Sequence, residues 1–179
     1  MPALEPGETL FTEQQIKERV RELAGRITED YAEEKPLVLG ILKGAFIFLA
    51  DLVREIKLPL EFDFVALSSY GSASKTSGVV RILKDLDCDV AGRHLLIVED
   101  IIDTGLTLSY LLSSLQARGA ASVEICALLD KQIEKKARLP VKYAGFTIPD
   151  VYVVGYGLDY AESYRNLPHI AIVREVESG

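Results

Sequence analysis

The chain has 179 residues, long enough to close a sizeable core without metal or disulfide staples, and 49% hydrophobic with 26% charged residues reads as globular rather than disordered. A formal net charge of −7 argues against non-specific binding to nucleic acid or anionic membrane, because such surfaces repel a polyanion. No apolar stretch is long enough to span a bilayer, the first residues lack the basic and apolar regions of a secretory signal, and Cys88 and Cys126 have neither ligand nor redox spacing, so a cytoplasmic protein with reduced thiols is expected.

Thr12 and Gln15 form a capping-box pattern, with Phe11 placed to staple onto Ile16. Ile16, Val20, Leu23, Ile27 and Tyr31 then mark one face of an amphipathic helix predicted to end near Glu33. Pro36 blocks further helix, and the continuous apolar run 37–42 predicts a buried strand. Lys43-Gly44-Ala45 makes a sharp turn into the apolar helical segment 46–53. Residues 61–67 alternate as a strand, and 79–85 form the returning strand. Between them lies the serine- and glycine-rich stretch 68–78. Such composition serves either as a linker in a hairpin or as a lid that shields a site from water, and the lid is the reading adopted here.

The central stretch runs from His94 to Leu108. Residues 95–98 are apolar throughout, as a strand buried on both faces requires. The chain then turns acidic with Glu99 and Asp100, passes Ile101 and Ile102, and reaches Asp103-Thr104-Gly105-Leu106-Thr107. Leu108, Leu111, Leu112 and Leu115 fall at helical spacing, and Gly119 stands where a helix C′ glycine belongs. Two carboxylates thus sit at the carboxyl end of a strand, beside a hydroxyl- and glycine-rich turn at a helix amino end, where unpaired N–H groups bind anions. A sugar phosphate suits both: its phosphate enters the turn while its hydroxyls donate to Glu99 and Asp100, which also offer oxygen ligands to Mg²⁺. A plain buried strand followed by an ordinary N-cap threonine accounts for either half, but poorly for both within nine residues.

The segment Val98-Glu-Asp-Ile-Ile-Asp-Thr-Gly-Leu-Thr107 resembles the phosphoribosyl-pyrophosphate (PRPP) motif of the type I phosphoribosyltransferases, and more narrowly the 6-oxopurine, hypoxanthine-guanine branch. The resemblance implies an α/β fold with a mainly parallel twisted sheet flanked by helices, a small hood and a flexible lid loop. It implies one domain over 1–179, with a core at about 35–140 and a hood built from the N-terminal and C-terminal segments. Asp103, Thr104, Gly105, Leu106 and Thr107 would bind the 5′-phosphate, Glu99 and Asp100 the ribose hydroxyls and Mg²⁺, and Asp103 would also act as the catalytic acid–base at purine N7. Leu106 stands where many relatives carry lysine, so a positive charge is missing from a cup that otherwise relies on backbone amides. Leu42-Lys43-Gly44 resembles the pyrophosphate loop, in which the peptide before the lysine is often cis. Ser69-Tyr70 matches the serine-tyrosine pair of the family's lid.

Further along, 122–129 reads as a strand ending at Asp130-Lys131, and 132–138, with Lys135, Lys136 and Arg138, as a solvated face. If the strands are parallel, Lys131 shares the sheet edge of Glu99 and Asp100, the edge where open α/β sheets bind ligands. It matches the family lysine that donates to the purine 6-oxo group. Residues 151–154 and 169–173 read as strands. Ile148-Pro-Asp, Val153-Val-Gly-Tyr, Leu158-Asp-Tyr and Tyr164-Arg-Asn-Leu resemble the 6-oxopurine enzymes in order. By that resemblance Tyr152 stacks on the purine and the backbone of Val153 meets the base edge. Asp159 stands at the purine pocket and helps to hold Mg²⁺ with the pyrophosphate, and Arg165 binds pyrophosphate. His94 and His169 fall on no family site and are read as structural.

The implied activity is Mg²⁺-dependent transfer of 5-phosphoribosyl from PRPP to hypoxanthine or guanine, giving IMP or GMP plus pyrophosphate, by a homodimer or homotetramer. Xanthine or another base stays open as acceptor. A PRPP-binding nucleic-acid regulator is a second reading, opposed by a sequence pI of 4.9 and no added binding module. A phosphate-sensing receiver is a third, in which the Asp-Thr-Gly-Leu-Thr turn and Lys131 have no task. Neither a dinucleotide fingerprint nor a Gly-Lys-Ser/Thr loop is present, so neither NAD nor ATP is implied.

Overall fold

The computed structural model describes residues 4–69, 80–134 and 137–175, which build two sheets. The first elements are β1 (Leu4–Phe11), α1 (Glu13–Asp30), β2 (Leu37–Leu42), α2 (Phe46–Glu55), β3 (Glu61–Ser69) and β4 (Val80–Lys84). There follow β5 (His94–Ile102), α3 (Leu106–Ala117), β6 (Ser122–Lys131), β7 (Val141–Ile148), β8 (Val153–Val154) and β9 (Ile170–Glu175). The larger sheet has the order β4-β3-β2-β5-β6-β7 and is parallel except at the β3–β4 hairpin. The smaller, β1-β9-β8, is antiparallel and joins the two ends of the chain.

β5 lies in the middle of the larger sheet, between β2 and β6. Its side chains alternate between faces, so a strand covered on both sides needs apolar residues without interruption. Leu96 and Val98 pack with the cluster that contains Ile16, Val20, Leu23, Phe48 and Leu52 of α1 and α2. Leu95 and Ile97 pack with Leu108, Leu111 and Leu115 of α3 on the opposite face. Each such side chain contributes roughly 1.5–3 kcal/mol by leaving water. Because β2, β3, β5, β6 and β7 run in the same direction, their carboxyl ends form one edge, and α3 starts from it.

The capping box at Thr12 forms: Thr12 Oγ1 accepts from Gln15 N at 3.3 Å, and Gln15 Oε1 accepts from Thr12 N at 2.9 Å. Phe11, expected to staple onto Ile16, packs against the cluster that holds Ile16 and lies face to face with Phe146, ring centroids 3.9 Å apart. α1 ends at Asp30 rather than near Glu33, since Tyr31 leaves helical geometry and is buried with its hydroxyl donating to Glu124 at 2.9 Å. The strand expected over 151–154 shortens to β8, because Val151 is held in a turn by its N–H donating to the Pro149 carbonyl at 2.9 Å. Neither β1 nor β7 was expected. Pro6 and Gly7 in β1, and Lys142 and Gly145 in β7, break the apolar pattern, and both strands are edge strands defined by their pairing.

Candidate active site

At the end of β5 the carboxylates of Glu99 and Asp100 are half-buried side by side. Glu99 Oε1 accepts from Asp100 N at 3.1 Å, and Asp100 Oδ1 accepts from Ile101 N at 2.7 Å. Burial, and then the neighbouring Asp100 charge, push the Glu99 carboxyl well above the ordinary carboxylate range. Burial also raises Asp100, offset in part by its hydrogen bonds with Glu99 and the Ile101 amide and, to a smaller extent, by the Arg165 charge. Two crowded acids that resist ionising together suit a site completed by a cation. Mg²⁺ takes oxygen ligands, commonly one or two carboxylates plus substrate oxygens, and this pair fits that demand. Among the described residues no group of three or more His, Cys, Asp or Glu side chains could hold a metal alone.

Beyond Ile102 the chain turns through Asp103, Thr104 and Gly105 into α3. Gly105 adopts φ +83°, a left-handed conformation that residues with a Cβ rarely take, and it supplies no side chain to cap the helix. The first amides of α3 therefore face a concavity of about 190 Å³ lined by residues from Glu99 through Leu108. Thr104 and Thr107 are partly exposed there.

The β2–α2 turn closes on the acidic pair. The Leu42–Lys43 peptide is cis. Gly44 packs so closely on Asp100 that a Cβ at this position would overlap its carboxylate. Lys43 Nζ lies 2.8 Å from Glu162 Oε2. Arg165 donates from Nη1 to the Gly157 carbonyl at 2.8 Å, and its Nη2 lies 2.9 Å from Asp159 Oδ1 and 3.4 Å from Glu162 Oε2.

A second cavity, of about 220 Å³, adjoins these groups and is lined by Asp100, Asp103, Lys131, Tyr152, Val153 and Asp159, with Ile101, Val151 and Leu158. Lys131 reaches it from the end of β6, its Nζ 3.2 Å from Asp150 Oδ1. Tyr152 is 55% exposed, so its ring is no part of the core; it meets Tyr160 edge-on at 5.9 Å and donates to the Asp159 carbonyl at 3.3 Å. Val153 is buried in β8, paired with Ile172.

The candidate residues thus gather at one edge, although they come from both sheets. Ser69 closes β3, opposite Val80, while Tyr70 lies outside the described residues, as do Lys135 and Lys136. His94 sits at the opposite end of β5, with Nδ1 2.8 Å from Ser122 Oγ. Asp150 and Glu162 were not singled out. Asp150 was visible in the Ile-Pro-Asp motif, whereas no sequence signal tied Glu162 to Lys43.

A family model described as the phosphoribosyl transferase domain matches residues 6–161. The chain belongs to this phosphoribosyltransferase family. Among phosphoribosyltransferases, it is 50% identical over 165 residues to the hypoxanthine-guanine phosphoribosyltransferase of Bacillus subtilis (strain 168), covering 92% of each chain. The structure of a hypoxanthine phosphoribosyltransferase from Staphylococcus aureus superposes with a TM-score of 0.91 at 43% identity, over 94% of this chain and 92% of that one. A hypoxanthine-guanine-xanthine phosphoribosyltransferase superposes with a TM-score of 0.87 at 41% identity, over 95% of this chain and 98% of that one. The mainly parallel sheet with helices on both faces is the fold of this phosphoribosyltransferase group.

Proposed function

We propose that this phosphoribosyltransferase moves the 5-phosphoribosyl group of PRPP onto N9 of hypoxanthine or guanine, forming IMP or GMP and releasing pyrophosphate. The observation that carries the reading is the junction at Asp100 and Asp103, where the concavity at the start of α3 meets the cavity lined by Lys131 and Tyr152. A phosphorylated pentose fills the first and a planar 6-oxo base the second, which puts C1′ between them.

The C1′–oxygen bond of PRPP breaks with its electron pair leaving on pyrophosphate, and the N9–C1′ bond forms. The ribosyl centre is cation-like in between, so the protein contributes position, charge and exclusion of water. The amides of Gly105, Leu106 and Thr107, with the Thr104 and Thr107 hydroxyls and Asp103 alongside, hold the 5′-phosphate. Glu99 and Asp100 accept from the ribose hydroxyls. Lys43, the Gly44 backbone and Arg165 receive the pyrophosphate. With PRPP oxygens completing the shell, Glu99 and Asp100 on the ribose side and Asp159 on the pyrophosphate side would hold Mg²⁺, which supplies positive charge against the leaving group when bound. Asp103 takes the proton that the purine loses at N7. Lys131 donates to the 6-oxo oxygen, Tyr152 stacks on the ring, and the Val153 backbone meets its edge. Ser69 and Tyr70 begin the lid that excludes water, and the β1-β9-β8 sheet is the hood over a core that includes the larger sheet.

Among the described residues no helix is long and apolar enough to cross a membrane. The proposal is of a homodimeric or homotetrameric salvage enzyme that works in the cytoplasm, without nucleic-acid or membrane partners. Incubation with PRPP and Mg²⁺ and each of hypoxanthine, guanine, xanthine, adenine and uracil, followed by product chromatography, tests it. IMP and GMP are the expected products; nucleotide formed only from adenine or uracil, or from no base, defeats the reading. Xanthine stays open as a third acceptor, since a relative that superposes closely bears xanthine in its name.

A further inference from the structure

Lys43 and Arg165 stand far apart in sequence, yet one carboxylate oxygen, Glu162 Oε2, lies 2.8 Å from Lys43 Nζ and 3.4 Å from Arg165 Nη2. The turn that presents it is tightly built. Tyr160 and Ser163 exchange backbone hydrogen bonds of 3.1 and 2.9 Å, Ala161 and Glu162 adopt φ of 47° and 64°, and Glu162 N donates to Asp159 Oδ2 at 2.8 Å. Glu162 therefore enters the cationic centre from a preset direction.

The cations are not equally engaged. The Lys43 and Glu162 side chains are each 66% exposed, which makes their pair water-screened and easily exchanged. The Arg165 side chain is only 19% exposed and is braced by Gly157 and Asp159, yet its buried Nε has no hydrogen-bond partner among the described residues. A buried donor without an acceptor is uncommon. Such a centre, with one anchored cation, one exposed cation and an exposed carboxylate between them, has its two positive charges matched by Glu162 and Asp159 without ligand, and an incoming polyanion must replace the more exposed of the two carboxylates.

We propose that Glu162 is a displaceable counter-ion that occupies the pyrophosphate position between turnovers. The inference rests on the functional reading above and adds to it a residue that sets affinity for the leaving group. Incoming pyrophosphate oxygens replace the carboxylate at Lys43 and Arg165, and its return as pyrophosphate departs favours release. Glu162 thereby weakens pyrophosphate and PRPP binding while leaving nucleotide monophosphate binding untouched, because the monophosphate sits at the start of α3.

The test is titration of the full chain with Mg-pyrophosphate and, separately, with GMP, comparing the parent with Glu162→Gln and with Glu162→Gly, which also accepts the positive φ. The expected result is a Kd for Mg-pyrophosphate about two- to five-fold lower in both variants, the scale of one exposed ion pair. The gain shrinks as salt rises. The Kd for GMP stays the same, and the KM for PRPP falls without a matching rise in kcat. Unchanged or weaker pyrophosphate binding overturns the proposal, as does equal tightening of GMP. A parent that binds GMP but not pyrophosphate overturns it while sparing the nucleotide site, and a parent that binds neither removes the functional reading itself.

Discussion

Glu99 and Asp100 hold protons more tightly in the folded chain than free carboxyls do, both because they leave water and Glu99 also because it faces the Asp100 charge. A carboxyl whose pKa rises on folding favours the folded state below its unfolded pKa, and that contribution is lost as pH climbs through the folded value. At neutral pH the pair therefore opposes folding. Glu99→Gln should raise Tm by about 2–4 °C, as ~1 kcal/mol does for a chain of this size. The advantage should widen from pH 4.5 upward, while PRPP affinity falls; a Tm difference that narrows toward neutral pH would contradict the charge argument. Asp103→Asn is expected to lower kcat by about 10²-fold or more and to spare PRPP affinity, with an unchanged kcat ending its acid–base role. Lys131→Ala should weaken base binding and 6-oxo selectivity far more than PRPP binding, since a buried donor mismatch costs about 1–3 kcal/mol; equal losses would remove Lys131 from the base pocket. Lys131 could be placed from sequence because it ends a recognisable strand, on the edge of Glu99 and Asp100 if the strands run parallel, and matches the family lysine. Glu162 could not, because its contact with Lys43 spans 119 residues.

At the scale of elements, Lys43-Gly44 read from residues alone is an ordinary turn, and only the resemblance marked it. The structure supplies the physical reason for glycine: β2 and β5 are neighbours in parallel register, so the β2–α2 turn lands on the Asp100 side chain. Gly44→Ala should displace Asp100 and lower kcat/KM by about 10²-fold, the usual penalty for misplacing a reacting group by an ångström. Steady-state kinetics with PRPP varied checks this, and near-parent activity would show that the turn and the acid move independently. β5 and α3 were legible because their spacing alone sets which faces are buried. β1 and β7 were not, since Pro6, Gly7 and Gly145 obscure strands that exist through pairing with β9 and β6.

At the scale of the whole molecule, the site depends on how the small sheet is seated on the large one. Phe11 on Phe146 is one tie, and Tyr156 is another: its hydroxyl donates to Asp51 Oδ2 of α2 at 2.6 Å. The second tie holds the loop bearing Asp159 and Arg165 over the β2–α2 turn. Tyr156→Phe should cost about 1.5 kcal/mol, a typical loss for a hydrogen bond to a charged group, and should raise the KM values for PRPP and base. Thermal denaturation and kinetics measure the two effects; a lower Tm with unchanged KM values would mean that the loop keeps its place without this bond.

The sequence by itself determined the central strand, the acidic pair, the helix-start turn and the two-sided burial around them, since each follows from residue spacing within a short segment. Tertiary structure alone decided that β1 and β9 pair and that Glu162 lies between Lys43 and Arg165. The division has one physical cause: periodicity reports which face of an element leaves water, while partners distant in the chain are chosen by packing and charge that no local pattern encodes.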